Sequence, residues 1–504
     1  MATSDFAFRG QRPTPVAGCL AAALALACGT AGATSERPSW WKRPDPAEVA
    51  LRWQPAPHSL PDIPAGSVVV QNCNDHGSGS LRQALANASN GATIDLTQLS
   101  CSQITLTTGS IVFTQSEITL QGPGSKYLSI NGNDTCSPLR HDSFGRSYIN
   151  DLTVEHGMLD AGIYTARGGC IYGNHVYIND SVVAYCTAKS EDTTGFYGAN
   201  GGAVYAFSNV SLYNTSIIDS TALAPSSTAF GGGIFSVGSA RIAHSFISGN
   251  YSSYSAGGMD VRDGVLVTYS TFDGNNAVID CGAFCARGDI TIVNSTVSNN
   301  QAIQAVGGIQ LYAPYDNAPP TILSSTISGN TSNAFGGAII TRVNGIYGAR
   351  VANSTIAFNH ADGPTRYAAG LGLYGQAVNG FDLESTIIAD NTYGAASSAD
   401  DLGGPPGLIV TGAKNLIGSS TLPVPNDTIL QQDPLLGPLA FNGGSTATHA
   451  LLSGSPAIDG GNNTFNASFD QRGSGYPRVN GSAPDIGAYE LEASDEIFVN
   501  GFDP

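Results

Sequence analysis

Asp260 and Arg262 stand two residues apart in GGMDVR, Gln310 and Tyr312 stand two apart in GGIQLY, and Tyr374 closes GLGLY. A spacing of two puts such pairs on one face of an extended strand. Carboxylate, guanidinium, amide and phenol groups sharing a face are what a sugar chain contacts. A glycoside hydrolase needs two carboxyl groups about 5–10 Å apart, and Asp260 has Asp263, Asp280 and Asp289 as candidate partners. A polysaccharide lyase needs a cation, from Ca²⁺ or basic side chains, to neutralise a uronate, and a base to take the adjacent proton. Arg262, Arg287, Arg342 and Tyr312 are available for that. A binding surface needs no convergent titratable groups, and a solvated sheet face needs no function at all. Asp400 and Asp401 form an adjacent acidic pair inside a Gly- and Pro-rich segment.

Other chemistries lack their residues. His141, His156, His175, His244 and His360 are scattered without metal-ligand spacing, and no Cys/His pair follows Cys281-x3-Cys285 to complete a zinc site. No strand–G-x-S-x-G–helix context offers a hydrolase nucleophile. Ca²⁺ at acidic corners has no nonapeptide motif behind it, and no other cofactor is implied.

The elements that must position these residues repeat. A Gly-Gly-apolar signature has its second glycine at Gly169, Gly202, Gly233, Gly258, Gly282, Gly308, Gly337 and Gly370, with Cys281 and Ala369 replacing the first glycine in two copies. An apolar-x-x-Asn signature keeps pace at Ile247/Asn250, Phe272/Asn275, Val297/Asn300, Ile327/Asn330, Ile356/Asn359 and Ile388/Asn391, mostly introduced by Ser-Thr. Two markers in phase identify a solenoid whose units cannot bury their apolar side alone. Alternating IFSV, MDVR and VLVTYSTF and abundant β-branched residues make the units short strands. The expected fold is all-β: a single-stranded right-handed parallel β-helix of about a dozen coils, on the order of 55 Å long. Asn is expected at the corners because it tolerates left-handed backbone and stacks into ladders.

Counting from each glycine pair, the second and fourth following residues should face solvent. That outer column reads Val204/Ala206, Phe235/Val237, Asp260/Arg262, Phe284/Ala286, Gln310/Tyr312, Ile339/Thr341 and Gly372/Tyr374. Asp260, Arg262, Gln310, Tyr312 and Tyr374 are its candidate ligand-binding residues. An enzyme would set its groups in a deeper cleft, walled by the long repeats between Gly169 and Gly233. Open solenoid ends invite aggregation, and two segments offer caps: 79–96, with Ser80 as N-cap of a short helix, and the irregular 433–490. The organisation is then a signal peptide (1–33), a Pro-rich spacer (34–66), an N-terminal cap (67–100), β-helix repeats (101–425), C-terminal coils and cap (426–490) and an acidic-aromatic tail (491–504).

The leader has a basic start at Arg9 and Arg12, an apolar stretch over 16–33 and an Ala31-Gly32-Ala33 end, which is the layout of a secretory signal. Its apolar run is shorter than a membrane span. Export permits disulfides. Of the nine cysteines, Cys19 and Cys28 leave with the leader, and the remaining odd number leaves at least one thiol unpaired; Cys73 with Cys101 and Cys170 with Cys186 are the candidate pairs. A formal charge of −18 and a pI near 4.6 disfavour nucleic acid as a partner.

SPAID (455–459), DQRG (470–473), DIGAYE (485–490) and the opening NCNDHGSGSLRQAL (72–85) resemble bacterial choice-of-anchor Q surface proteins, and the repeats resemble those of polymorphic outer membrane proteins. Together these resemblances cover residues 70–490. They imply an exported β-helix at the cell surface or in the medium, and no defined reaction. No segment after residue 490 supplies the barrel of an outer-membrane autotransporter. The clustered Asp motifs, Gly-His-Gly and basic triplet expected of β-helix pectin hydrolases are missing. The leading expectation is an adhesin-like or glycan-binding protein, facing a polysaccharide or envelope glycan. A polysaccharide lyase or glycoside hydrolase is the alternative, and a purely structural envelope component is the third.

Overall fold

A computed structural model describes residues 62–492, apart from 314–318, 335, 346–347, 364–367 and 378–379. The expected leader, most of the spacer and tail, and Cys19 and Cys28 lie outside the described residues. The chain winds into a parallel β-solenoid of about 11 turns. Sheets of 22, 13 and 10 strands run along it, and a shorter sheet of three joins them. One coil shows the plan. Ile234–Ser236 and Ala240–Ala243 lie in the large sheet, Phe246–Ser248 in the second and Tyr251–Ser252 in the third. Met259–Val261 then stacks in register on Ile234–Ser236. The large sheet is thus two ladders side by side, which the long strands Ile171–Asn179 and Val204–Tyr213 bridge. Alternation turns Ile234, Ile242 and Ile247 inward, where they are fully buried in one continuous core.

A short helix, α1 (Leu81–Asn87), closes the N-terminal end. Ser80 caps it by accepting the Gln83 N–H, and Leu81 and Leu85 are buried against the first coils.

The corners carry two polar ladders. Asn250, Asn275, Asn300, Asn330, Asn359 and Asn391 are completely buried, and each donates Nδ2 to the Oδ1 of the next at 2.8–3.0 Å. The last, Asn391, donates to Asp401, an acceptor-only end held by Ser419. These asparagines do not themselves adopt the left-handed backbone. The residue before each does: Gly249, Gly274, Asn299, Gly329, Phe358 and Asp390 all have positive φ. The Asn is selected for its side-chain amide, which satisfies backbone groups where the turn interrupts the strands. The Ser-Thr introduction has a parallel role. Ser245, Ser270, Ser295 and Ser325 each accept a backbone N–H from the preceding coil and donate to the carbonyl two residues back.

The glycine signature needs a correction in register. Val204 pairs with Ile234, Phe284 with Met259 and Ile309, and Ile339 with Ile309, so Val204, Phe284 and Ile339 point inward. Their fourth-position partners Ala206, Ala286 and Thr341 are likewise buried. Alanine explains the slip: Ala203, Ala283 and Ala338 occupy the second-glycine position in these coils, so Gly202, Gly282 and Gly337 are first glycines. The outer residues there are Tyr205, Cys285 and Ile340.

The C-terminal segment also reaches back along the flank of the second sheet. Gln471 donates to Thr296 and Thr446 at 3.0 Å and accepts from Thr326 at 2.6 Å. Ala488 N–H donates to Thr355 and Asn462 N–H to Ser385. Arg472 pairs with Asp470 at 2.7 Å and lies between the Tyr476 and Tyr489 rings, while Glu490 accepts the Asp485 and Asn480 N–H groups. Ser455 donates to Pro434 O and Ala457 O accepts the Ile486 N–H, so SPAID, DQRG and DIGAYE are all internal ties of this cover.

Candidate functional site

The site begins with small residues. Ala166–Arg167, Ala199–Asn200 and Ala229–Phe230 form the three-stranded ladder, with the alanines fully buried and Arg167, Asn200 and Phe230 turned outward. The chain then turns through the glycines into the first ladder of the large sheet, whose outer column is Tyr172, Tyr205, Phe235, Asp260, Cys285 and Gln310. These two outer faces meet in a re-entrant corner. The Arg262 guanidinium lies 4.6 Å from the Phe230 ring and 5.3 Å from Phe235, and Ser255 Oγ is 3.5 Å from Cys285 Sγ. Facing each other across the corner shields residues that point away from the core: Tyr205 is 3%, Phe235 7% and Asp260 4% exposed.

Three zones follow one another along this groove. The first is aromatic: Tyr172, Tyr205 and Phe235 stack at 5.5 Å steps, with Arg140 4.5 Å over Tyr172 and Arg167 5.6 Å over Tyr205. The second is charged. Arg262 Nε sits 2.6 Å from Asp260 Oδ1. Burial pushes the Asp260 carboxyl above the usual range, against the opposing pull of Arg262 and Arg287. Asp280, bridged to Ser255 at the end of the short ladder, is raised by burial and by the charge of Asp260. In the third zone Tyr312 lies between Arg287 at 5.8 Å and Arg342 at 5.6 Å, and Arg342 is 5.5 Å from Tyr374.

Asp260, Arg262, Gln310, Tyr312 and Tyr374 all lie on this outer face. Asp260 and Arg262 come together as an ion pair, and Asp260 is shielded where solvent exposure is expected. Gln310 instead faces a disulfide: Cys281 and Cys285 are bridged, and Gln310 Oε1 lies 3.7 and 3.9 Å from their sulfurs. Asp280 comes within electrostatic reach of Asp260. Asp263 and Asp289 fall on the turns leading to the second ladder, away from the corner. Asp400 accepts the Ala369 N–H and Asp401 ends the Asn ladder, which occupies both with backbone duties. Cys73 is bridged to Cys101 and Cys170 to Cys186, with Cα atoms 6.5 and 5.5 Å apart, and Cys136 is a buried free thiol. Phe230, Tyr172, Tyr205, Arg140 and Arg167 are the groove residues that the glycine count misses. The signal for part of them is a recurrent Ala-x-Gly-Gly, in ARGG, ANGG and AFGG. Among the described residues no three His, Cys, Asp or Glu side chains cluster to hold a metal ion, and no helix is long and apolar enough to cross a membrane.

Compared with protein-family models and with curated proteins, the chain has no match. Among solved structures it is similar to the crystal structure of pectate lyase Pel9A, at 14% identity and a TM-score of 0.39, over 85% of this chain and 98% of that one. A likeness at that level assigns no residue of the groove and no activity.

Proposed function

We propose that this is an exported protein of the cell surface or medium that binds an acidic polysaccharide along the groove. The observation that carries the reading is the line of five arginines, Arg140, Arg167, Arg262, Arg287 and Arg342, each over an aromatic ring on one face of a chain with formal charge −18. Guanidinium groups held near aromatic rings remain able to pair with carboxylates, and the half-buried Tyr172, Tyr312 and Tyr374 rings offer apolar contact to a sugar. Adjacent coils are about 4.8 Å apart, close to the advance of one sugar residue in an extended chain. Successive residues of a glycan thus meet successive coils. Export follows from the reading of residues 1–33 and agrees with the resemblance to exported β-helix surface proteins.

The test is retention of the mature protein on immobilised polygalacturonate, alginate and neutral xylan, with product release recorded in the same samples. Binding to an anionic polymer, weakened about tenfold by Arg287→Ala with Arg342→Ala and by added salt, supports the reading. Equal retention of wild type and double variant, or none on either anionic polymer, overturns it.

A second reading, a polysaccharide lyase or glycoside hydrolase, is favoured by the shielded carboxyl group of Asp260 beside Arg262, with Asp280 within its electrostatic reach. A raised carboxyl is suited to donate a proton to a leaving oxygen, and an arginine is suited to neutralise a uronate. Product release that disappears in Asp260→Asn, with binding kept, would make the charged zone catalytic.

A further inference from the structure

Two loops beside the start of the groove carry an exposed aromatic cluster that the core does not explain. Phe196 is 85%, Tyr164 64%, Ile163 62% and Tyr197 44% exposed. Single exposed apolar residues are ordinary on a protein surface; four together on adjacent coils mark an interaction site. The cluster is prearranged. The Asp192 carboxylate accepts four hydrogen bonds, from Thr194 N and Oγ1 and from the N–H groups of Phe196 and Tyr197, at 2.6–3.1 Å. These bonds hold that carboxyl well below the usual range, the Thr194 side chain contributing most. The Glu191 N–H donates to Gly162 O at 2.6 Å, which ties the loop to its neighbour, and the Tyr164 and Tyr197 rings meet edge-on at 5.9 Å. A loop backbone fixed in this way loses little freedom on binding.

The cluster is continuous with the groove. Tyr164 and Tyr197 lie three residues before Arg167 and Asn200, which are outer residues of the short ladder. Asn200 adds an independent observation: its Oδ1 is shielded from solvent and accepts no hydrogen bond. A buried acceptor left without a donor is costly, and turning the Asn200 amide toward the groove would relieve that cost and offer it to a ligand hydroxyl.

From these observations we infer that Tyr164, Phe196 and Tyr197, with Asn200, form a stacking subsite for uncharged faces of sugar rings, flanking the first coils of the arginine line and binding the same glycan. The inference rests on the acidic-glycan reading above. Tyr164 and Tyr374 are separated by seven coil steps, roughly 34 Å at about 4.8 Å per step. An oligomer of about seven residues engages the whole line at once, so the heptamer is the length at which loss of the aromatic subsite should show.

The experiment measures Kd by calorimetry for galacturonate and mannuronate oligomers of three and seven residues. It compares the wild type with a Tyr164→Ala, Phe196→Ala, Tyr197→Ala variant whose unchanged melting temperature shows that it is folded. The expected result is at least a tenfold loss of heptamer affinity in the variant. If the wild type binds heptamer and the variant binds it equally well, the subsite is refuted and the arginine groove stands. No binding by the wild type at either length refutes the glycan reading and the subsite with it. Sedimentation with anionic lipid vesicles that the variant loses, with heptamer binding intact, assigns the cluster to a lipid surface and overturns the proposal.

Discussion

Replacing Asn300 by alanine tests whether the buried amide ladder holds the solenoid together. Asn300 Nδ2 donates to Phe272 O, Ser298 O and Asn330 Oδ1, each at 2.9 Å, and its Oδ1 accepts both the N–H and the Nδ2 of Asn275 at 2.9 Å. In Asn300→Ala the Asn275 N–H and one Asn275 Nδ2 proton lose their acceptor at a position that is completely buried in the native chain. A buried donor left unsatisfied costs about 1–3 kcal/mol, so the two together cost about 4 kcal/mol. The carbonyls lose less, because an oxygen retains a second partner more often than an N–H does. Asn250→Ser is the matched control at the ladder's start. The Asn250 Oδ1 accepts only the Ser220 N–H, and Ser220 itself fills this position one coil earlier, accepting the Cys186 N–H. Serine at 250 can take over that role, and the expected cost is about 1 kcal/mol. Solenoid unfolding need not be two-state, so the assay is hydrogen exchange resolved to Asn275 and its neighbours, supported by denaturant midpoints. Wild-type protection of the Asn275 amide in Asn300→Ala, or equal losses in the two variants, would refute the ladder argument.

Two further outcomes follow from corners and cover. Gly274→Asn should change stability by no more than about 0.5 kcal/mol, because Gly274 has φ +65° with open space around it and Asn299 fills the equivalent position. Gly257→Ala should lower the melting temperature sharply or prevent folding, because a Cβ there would meet Asn276 backbone atoms at 2.4–2.6 Å. Burial raises Glu490 from 4.5 to about 7, more than its Asp485 and Asn480 hydrogen bonds and Arg478 lower it. The folded state thus holds this proton more tightly than the unfolded one. Its contribution to stability is complete below about pH 4.5 and is lost as pH rises through about 7, up to about 3 kcal/mol. Protection of amides in 433–490, corrected for intrinsic rates, should be greater at pH 5 than at pH 8, and Glu490→Gln should flatten that difference.

The solenoid was legible because its inner residues obey a rule at every coil. Asn250 through Asn391 recur because each must meet the next, and Ser80 announces α1 because a helix start needs an acceptor. The cover was legible as motifs and not as a place: Gln471 reaches Thr326 across 145 residues and Asn294 reaches Gln471 across 177, separations that no local pattern spans. The groove was legible in part. Asp260 and Arg262 are two residues apart and share a face by alternation alone. Phe230, Ser255 and Asp280 join them through a corner whose angle depends on Ala166, Ala199 and Ala229 packing inward, and small residues carry little signal. Ala203, Ala283 and Ala338 misled the glycine count for a related reason: alanine replaces glycine where the turn permits a Cβ, and the register then shifts by one.

The same register locates the chemistry. Along the first ladder the inward position stays apolar from Ile171 and Val204 through Ile234, Met259, Phe284, Ile309, Ile339 and Leu371. The outward neighbour changes type instead: Tyr172, Tyr205, Phe235, Asp260, Cys285, Gln310, Ile340 and Gly372. The inner series is set by packing, which every coil demands equally. The outer series packs against corner residues such as Arg167, Phe230 and Arg262, which differ from coil to coil, so its residue types differ with them. It is polar or sulfur-bearing only at Asp260, Cys285 and Gln310, three successive coils beside Arg262 and Arg287. A shielded carboxylate costs free energy that a polar residue left in water would not. Tyr205 and Phe235 show that this corner accepts apolar side chains at the same position. Asp260 is thus the point where the groove departs furthest from what the fold alone requires.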